Sequence, residues 1–105
     1  MSYRVGASFE RYLVRKFREQ GLMAWRTPAS QSPVDLIIYN PEDKTWLLVQ
    51  VKKIRTGRLS LSRYKKEIEQ TKEWANKFFA NDDRVSVEFW VWYLPERKWV
   101  KHKIK

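Results

Sequence analysis

The 105-residue chain has no cysteine, which excludes a disulfide scaffold, a zinc–thiolate site and a cysteine nucleophile. Its one histidine, His102, all but excludes histidine metal clusters and Ser/His triads. No apolar run approaches the ~20 residues of a membrane span. The opening MSYRVGASFE lacks the apolar h-region of a signal peptide, so an intracellular, cytoplasmic protein is expected. Repeats and low-complexity linkers are missing too, and the length allows one domain, residues 1–105, around one modest core. Negative charge is also scarce. Twelve acids face twenty-two Lys and Arg, giving a net charge of +10. With 15% aromatic residues, six of them tryptophan, disorder is excluded and a folded basic surface is expected. Such a surface most often meets a polyanion. Nucleic acid leads, and an anionic membrane surface is the alternative that charge alone does not separate.

Periodicity predicts a helix over residues 5–20, ended by Gly21. Gly6, Phe9, Leu13, Val14 and Phe17 share one face of it, and Arg4, Arg11, Arg15 and Arg18 the other. A short strand over 23–26 and a Pro- and Ser-containing loop over 27–33 follow. Strands over 34–39 and 45–53 flank the turn 40–44 and are apolar on both faces, the mark of central strands. After a basic loop around Gly57, Ser62 is expected to cap a second helix reaching about Phe79, with Tyr64, Ile68, Thr71, Ala75 and Phe78 as its stripe. Strands over 85–94 and 99–104 end the chain. The order α-β-β-β-α-β-β predicts an α/β fold, a mixed central sheet flanked by helices.

Candidate chemistry gathers on the central hairpin. Side chains alternate along a strand, so Gln50 and Lys52 share a face. If the turn centres between Glu42 and Asp43, Tyr39 pairs with Trp46, Ile37 with Leu48 and Asp35 with Gln50, with opposed Cβ atoms about 4.5–5.5 Å apart. Glu10 falls inside the apolar arc of the first helix, where a carboxylate needs a cation or a donor. Each residue has a plain structural reading. Asp35 can bind the 30–32 loop, Gln50 and Lys52 can be a solvated strand end, and Glu10 can pair with an arginine. Their coincidence favours a shared site. Mg²⁺ takes oxygen ligands and keeps several waters. Asp35, the Gln50 amide oxygen and the Val51 carbonyl can hold it, with Glu10 reaching it through water. Lys52 can then position the attacking water or stabilise charge on a phosphate.

The run Glu10, Pro33-Val34-Asp35, Gln50-Val51-Lys52 resembles the PD-(D/E)xK nuclease superfamily. Phe9-Glu10-Arg11, Arg26-Thr27-Pro28-Ala29-Ser30 and Asp35-Leu36-Ile37-Ile38 are similar to the archaeal Holliday-junction resolvases. The likeness is strong from Gly6 to Lys53 and beyond that rests on element order. It implies a restriction-endonuclease-like fold, a homodimer, and a magnesium-dependent endonuclease in which manganese substitutes. By the resemblance Glu10, Asp35 and Gln50 belong to the metal site, Lys52 is the catalytic lysine and Ser30 stands near the scissile phosphate. The sequence departs in three places. Gln50 replaces the usual acid, as in Gln-x-Lys members such as Mrr-like restriction nucleases. Val34 stands at the motif proline, and the loop between Ser30 and Asp35 is short.

Between Lys44 and Lys66 lie eight basic residues and no acid. Lys53, Arg55, Arg58 and Arg63 are expected to follow a phosphate backbone, with Arg4 and Arg11 as a second contact. The last long strand puts Val85, Val87, Phe89, Val91 and Tyr93 on one face and Trp90, Trp92 and Leu94 on the other. Trp90, Trp92 and Trp99 together are read equally as core or as a subunit interface. The expected function is metal-dependent cleavage of branched DNA by a homodimer, in recombination or repair. The alternatives are a non-catalytic nucleic-acid-binding module on the same fold and a repair- or restriction-type nuclease acting on duplex or single strands.

Overall fold

A computed structural model describes residues 7–27 and 32–105. Helix α1 (Ala7–Glu19) leads into strands β1 (Met23–Arg26), β2 (Leu36–Asn40) and β3 (Thr45–Ile54). Helix α2 (Lys65–Phe79) follows a 3-10 turn at Leu61–Tyr64, and β4 (Val85–Tyr93) and β5 (Lys98–Lys103) complete the chain. The five strands lie in sequence order, β1-β2-β3-β4-β5. Every pairing is antiparallel except β3 with β4, which is parallel and bridged by α2. A parallel pair needs such a crossover, and here it sets α2 across the sheet's centre. The expected α-β-β-β-α-β-β order and mixed sheet are what the chain adopts.

Alternation along the strands sorts the core into two layers. Leu13 and Val14 of α1 pack on Ala24, Leu36, Ile38, Val49, Val51 and Trp90. On the other face Ala75 of α2 meets Leu48, Val85 and Val87, while Tyr64 and Ile68 cover Ile54, Phe89 and Val91. Central β3 and β4 are therefore covered twice, which explains their apolar residues on both faces. Fully buried side chains such as Leu36 and Phe89 each contribute about 1.5–3 kcal/mol relative to exposure.

Three expectations need correction. Ser62 does not cap α2. It lies inside the 3-10 turn and shares a 2.6 Å hydroxyl hydrogen bond with Ser60. The apolar stripe of α2 runs Tyr64, Ile68, Thr71, Ala75 and on to Phe79, whereas Phe78 is 59% exposed. Strand β2 begins at Leu36, so Asp35 sits just before the ladder. Of the two readings of the late tryptophans, core and interface, Trp90 takes the core, buried beneath α1 against Phe17, and Trp99 packs between Phe9 and Trp92. The more exposed tryptophans are elsewhere: Trp25 and Trp46 stack 6.3 Å apart on the half of the sheet that α2 leaves bare.

Candidate active site

The β2–β3 register is Tyr39 with Trp46, Ile37 with Leu48 and Leu36 with Val49, as the turn arithmetic requires. One step beyond the last paired residues, Asp35 lies against Val49 and Val51, on either side of Gln50. Its backbone N–H donates to the Val49 carbonyl at 2.8 Å, and its Oδ2 accepts the Val51 N–H at 2.8 Å. A strand residue points its carbonyl toward the same neighbour as its N–H. The Val51 oxygen therefore also faces Asp35, past the last rung of the ladder.

Glu10 reaches this end of the sheet from α1. Its side chain is 13% exposed, and its Oε1 accepts a 2.9 Å hydrogen bond from Arg26 Nε. The buried glutamate thus has the cation its position demands, from the Arg of the Arg26-Thr27 segment. Burial pushes the Asp35 carboxyl above its ordinary value. The Val51 N–H opposes that rise, Glu10 adds to it, and Lys52 and Arg26 oppose it. The same couplings show that Glu10, Arg26, Asp35 and Lys52 share one electrostatic neighbourhood.

Gln50 and Lys52 lie on the α2 face. The Gln50 side-chain oxygen is 2.7 Å from the hydroxyl of Thr71, which is fully buried and also hydrogen-bonds the Glu67 carbonyl at 2.8 Å. Lys52 Nζ sits 6.0 Å from the Tyr64 ring centre. Glu67 Oε2 is buried with no hydrogen-bond partner among the described residues. Of the expected DNA contacts, Arg11 and Arg58 are exposed, Arg55 is exposed on the same loop, and Arg63 packs on the Tyr64 ring. Lys53 turns to the α1 face, 5.2 Å from the Phe9 ring centre. The loop around Gly57 is fastened by the Tyr93 hydroxyl, which donates to the Gly57 carbonyl, and Gly57 has the positive φ of 87° that glycine tolerates. Arg4 and Ser30 lie outside the described residues.

The oxygen donors fit a hard divalent cation. Asp35 keeps its second oxygen beyond the Val51 bond, is buried, and is pressed by Glu10, a surplus of negative charge that a cation relieves. No three His, Cys, Asp or Glu side chains cluster closely enough to hold a metal among the described residues, and the further oxygens at this end of the hairpin are those of Gln50 and Val51. Sequence reasoning missed three participants: Arg26 as the Glu10 partner, Thr71 as the Gln50 partner, and Arg18. Arg18 is not a free member of the arginine face. It donates to the Ala24 carbonyl from Nε at 3.2 Å and Nη2 at 2.9 Å, clamping α1 to β1.

The family model described as "Archaeal holliday junction resolvase (hjc)" matches residues 1–101. The chain belongs to that family. Among solved structures, Archaeoglobus fulgidus Hjc, a Holliday junction resolvase from an archaeal hyperthermophile, is similar, with a TM-score of 0.59 at 26% identity. The match covers 90% of this chain and 75% of that one. No curated protein sequence matches. Family and fold together make this a resolvase-type nuclease, and the mixed sheet with its two helices is the resolvase fold. No helix among the described residues is long and apolar enough to cross a membrane.

Proposed function

We propose that residues 1–105 form one catalytic unit that hydrolyses phosphodiester bonds in branched DNA with a divalent metal, magnesium or manganese, inside the cell. The observation that supports this reading is the Asp35 carboxylate bonded to Val51 at the open end of one hairpin, next to Gln50 and Lys52, with Glu10 near enough on α1 to act on the Asp35 charge. Asp35, the Gln50 and Val51 oxygens and, through water, Glu10 would hold the metal. When bound, the metal polarises the phosphodiester and lowers the pKa of water.

The chain's own groups prepare the rest. Val51 N–H fixes one Asp35 oxygen and so aims the other. Arg26 holds Glu10 in the half-enclosed space beside Asp35. The Lys52 ammonium, on the Gln50 face, pairs with a phosphate oxygen and stabilises the charge that builds as water attacks phosphorus and the P–O ester bond breaks. The loop carrying Arg55 and Arg58, with Arg63 beside it, follows the flanking backbone, and Ser30 is read beside the scissile phosphate. Arg11 on the first helix, with Arg4 as the sequence suggests, contacts a second stretch, and Lys53, on the α1 face beside Phe9, adds to it.

We read the assembly as a homodimer. The surface offered to the second copy is the Trp25–Trp46 face, not the α1-covered tryptophans. The turns at its end carry Glu42, Asp43, Asp82 and Asp83, whereas Lys52 to Lys66 contains no acid, so a second protein chain suits that face better than DNA. The presence of Gln50 where the superfamily has an acid favours one rival, a binding module without catalysis.

Incubation with Mg²⁺ or Mn²⁺ on a four-way junction and on its component duplex tests the reading. The junction should be nicked in preference to the duplex, and Asp35→Ala or Lys52→Ala should slow this by on the order of 10²–10³-fold with affinity retained. Equal cutting of both substrates would point to an ordinary duplex nuclease. Tight binding without cleavage of any DNA would establish the rival.

A further inference from the structure

The hydrogen bonds at Thr71 contain a conflict of count. A threonine hydroxyl has one proton. Thr71 Oγ faces two acceptors, the Glu67 carbonyl at 2.8 Å and the Gln50 side-chain oxygen at 2.7 Å. The bond to Glu67, four residues back, is the one a helical threonine ordinarily makes. The proton given to Glu67 is not available to Gln50, and two oxygens would then face each other in a fully buried place. A carboxamide has the same outline with its oxygen and nitrogen exchanged. Turned by half a rotation, Gln50 donates one Nε2 proton to Thr71 Oγ and Thr71 donates to Glu67, so that no acceptor is left facing another. The turned side chain has its oxygen on the side away from α2.

We propose that Thr71 is a positioning residue. By accepting from the Gln50 amide nitrogen it commits the Gln50 oxygen to the metal site. A glutamine at the acid's position needs such a device and a glutamate does not. The two oxygens of a carboxylate are equivalent, whereas a carboxamide turned the wrong way presents N–H groups to a cation. The proposal rests on the reading of Gln50 as a ligand.

The test is Mn²⁺ binding by titration calorimetry, without DNA and independent of cleavage. Loss of an outer partner to a ligand commonly weakens metal affinity 10–100-fold, so Thr71→Val should bind Mn²⁺ at least about tenfold more weakly than wild type. Thr71→Ser, which keeps the hydroxyl, should restore wild-type affinity. In a Gln50→Glu background Thr71→Val should change affinity by less than about twofold, because there is no orientation left to fix. Nuclear Overhauser contacts give a reading on the wild-type protein that needs no variant to fold: the Gln50 carboxamide protons should lie against the Thr71 side chain. Contacts of those protons with Asp35 instead, or unchanged Mn²⁺ affinity in Thr71→Val while Gln50→Ala weakens it, would overturn the positioning role and leave Gln50 a ligand. Unchanged affinity in both Gln50→Ala and Thr71→Val would remove Gln50 from the metal site altogether, and this proposal with it.

Discussion

Replacing Arg26 by methionine keeps the apolar stem of the side chain and removes the one charge that Glu10 touches among the described residues. At the observed 2.9 Å, Coulomb attraction between unit charges is about 6 kcal/mol at an effective dielectric of 20 and about 1.4 kcal/mol in bulk water. The pair lies between these limits. Glu10 is 13% exposed but Arg26 is 35% exposed, so solvent screens the attraction, and freeing Arg26 recovers some of its hydration. A net loss of about 2 kcal/mol is the working figure, larger than for a surface pair and smaller than for a fully buried one. In a domain of this size that lowers the melting temperature by about 10 °C. Urea denaturation of the metal-free protein at neutral pH measures the loss directly. The cost belongs to the stranded carboxylate, so Glu10→Gln in the Arg26→Met background should recover most of it, a coupling that a double-mutant cycle isolates. Divalent metal should also stabilise Arg26→Met more than wild type, since Arg26 no longer competes for Glu10. Arg26→Met within about 0.5 kcal/mol of wild type, or no recovery on adding Glu10→Gln, would refute the view that Glu10 depends on Arg26.

Asp35→Asn should separate stability from activity. Burial holds the Asp35 carboxyl above its ordinary value of 3.8, so the folded state binds that proton more tightly than the unfolded chain, and stability falls as pH rises from 3.8 through the raised value. Asparagine keeps an oxygen for the Val51 N–H without the buried charge. The variant should be inactive yet, free of metal, at least as stable as wild type at neutral pH. A lower melting temperature would contradict this. Arg58→Ala should reduce the slope of log affinity against log salt by about one on a duplex arm, measured by fluorescence anisotropy. An unchanged slope would place the DNA away from the Gly57 loop. Trp46→Lys should shift sedimentation from dimer to monomer at micromolar concentration while the fold survives. A wild-type monomer would rule out the Trp25–Trp46 interface.

The hairpin could be read from sequence because its turn and its period of two fix each other. Once Glu42 and Asp43 are set at the tip, Tyr39 meets Trp46 and Ile37 meets Leu48, and β2 and β3 pair that way as far as Leu36 and Val49, with Asp35 just beyond, bonded to Val49 and Val51. Glu10 was visible as a carboxylate in an apolar arc, though the partner was not, because Arg26 comes from a different element and its approach depends on how α1 lies on β1. The same limit hid Thr71. The helical period put it on the buried stripe, but which strand residue lay beneath depended on the crossover of α2, a property of the whole sheet. The end of that stripe was misjudged for a local reason. Positions 78 and 79 are both admissible continuations from Ala75 on a 3.6-residue period, and the edge of β4 selects Phe79. Trp90 and Trp99 were legible as an apolar face needing cover, but not as the floor beneath α1.

The six tryptophans fall into separate optical neighbourhoods. Trp25 and Trp46 stand half in solvent and close enough for their indole transitions to couple. Trp90, Trp92 and Trp99 form a chain of ring contacts under the first helix, with the Lys101 ammonium 4.3 Å from the centre of the Trp90 ring. Trp74 lies apart, against Phe78 and Phe79 at the end of α2. The exposed pair emits to the red and is open to quenchers, so its spectrum reports whether the β1–β2–β3 edge is free or covered. Buried Trp90 and half-buried Trp99, in ring contact with Phe17 and Phe9, are placed to report whether α1, with Glu10 on it, is seated. The chain thus carries its own light-based gauges for two events, occupation of the bare sheet face and docking of the helix that carries Glu10.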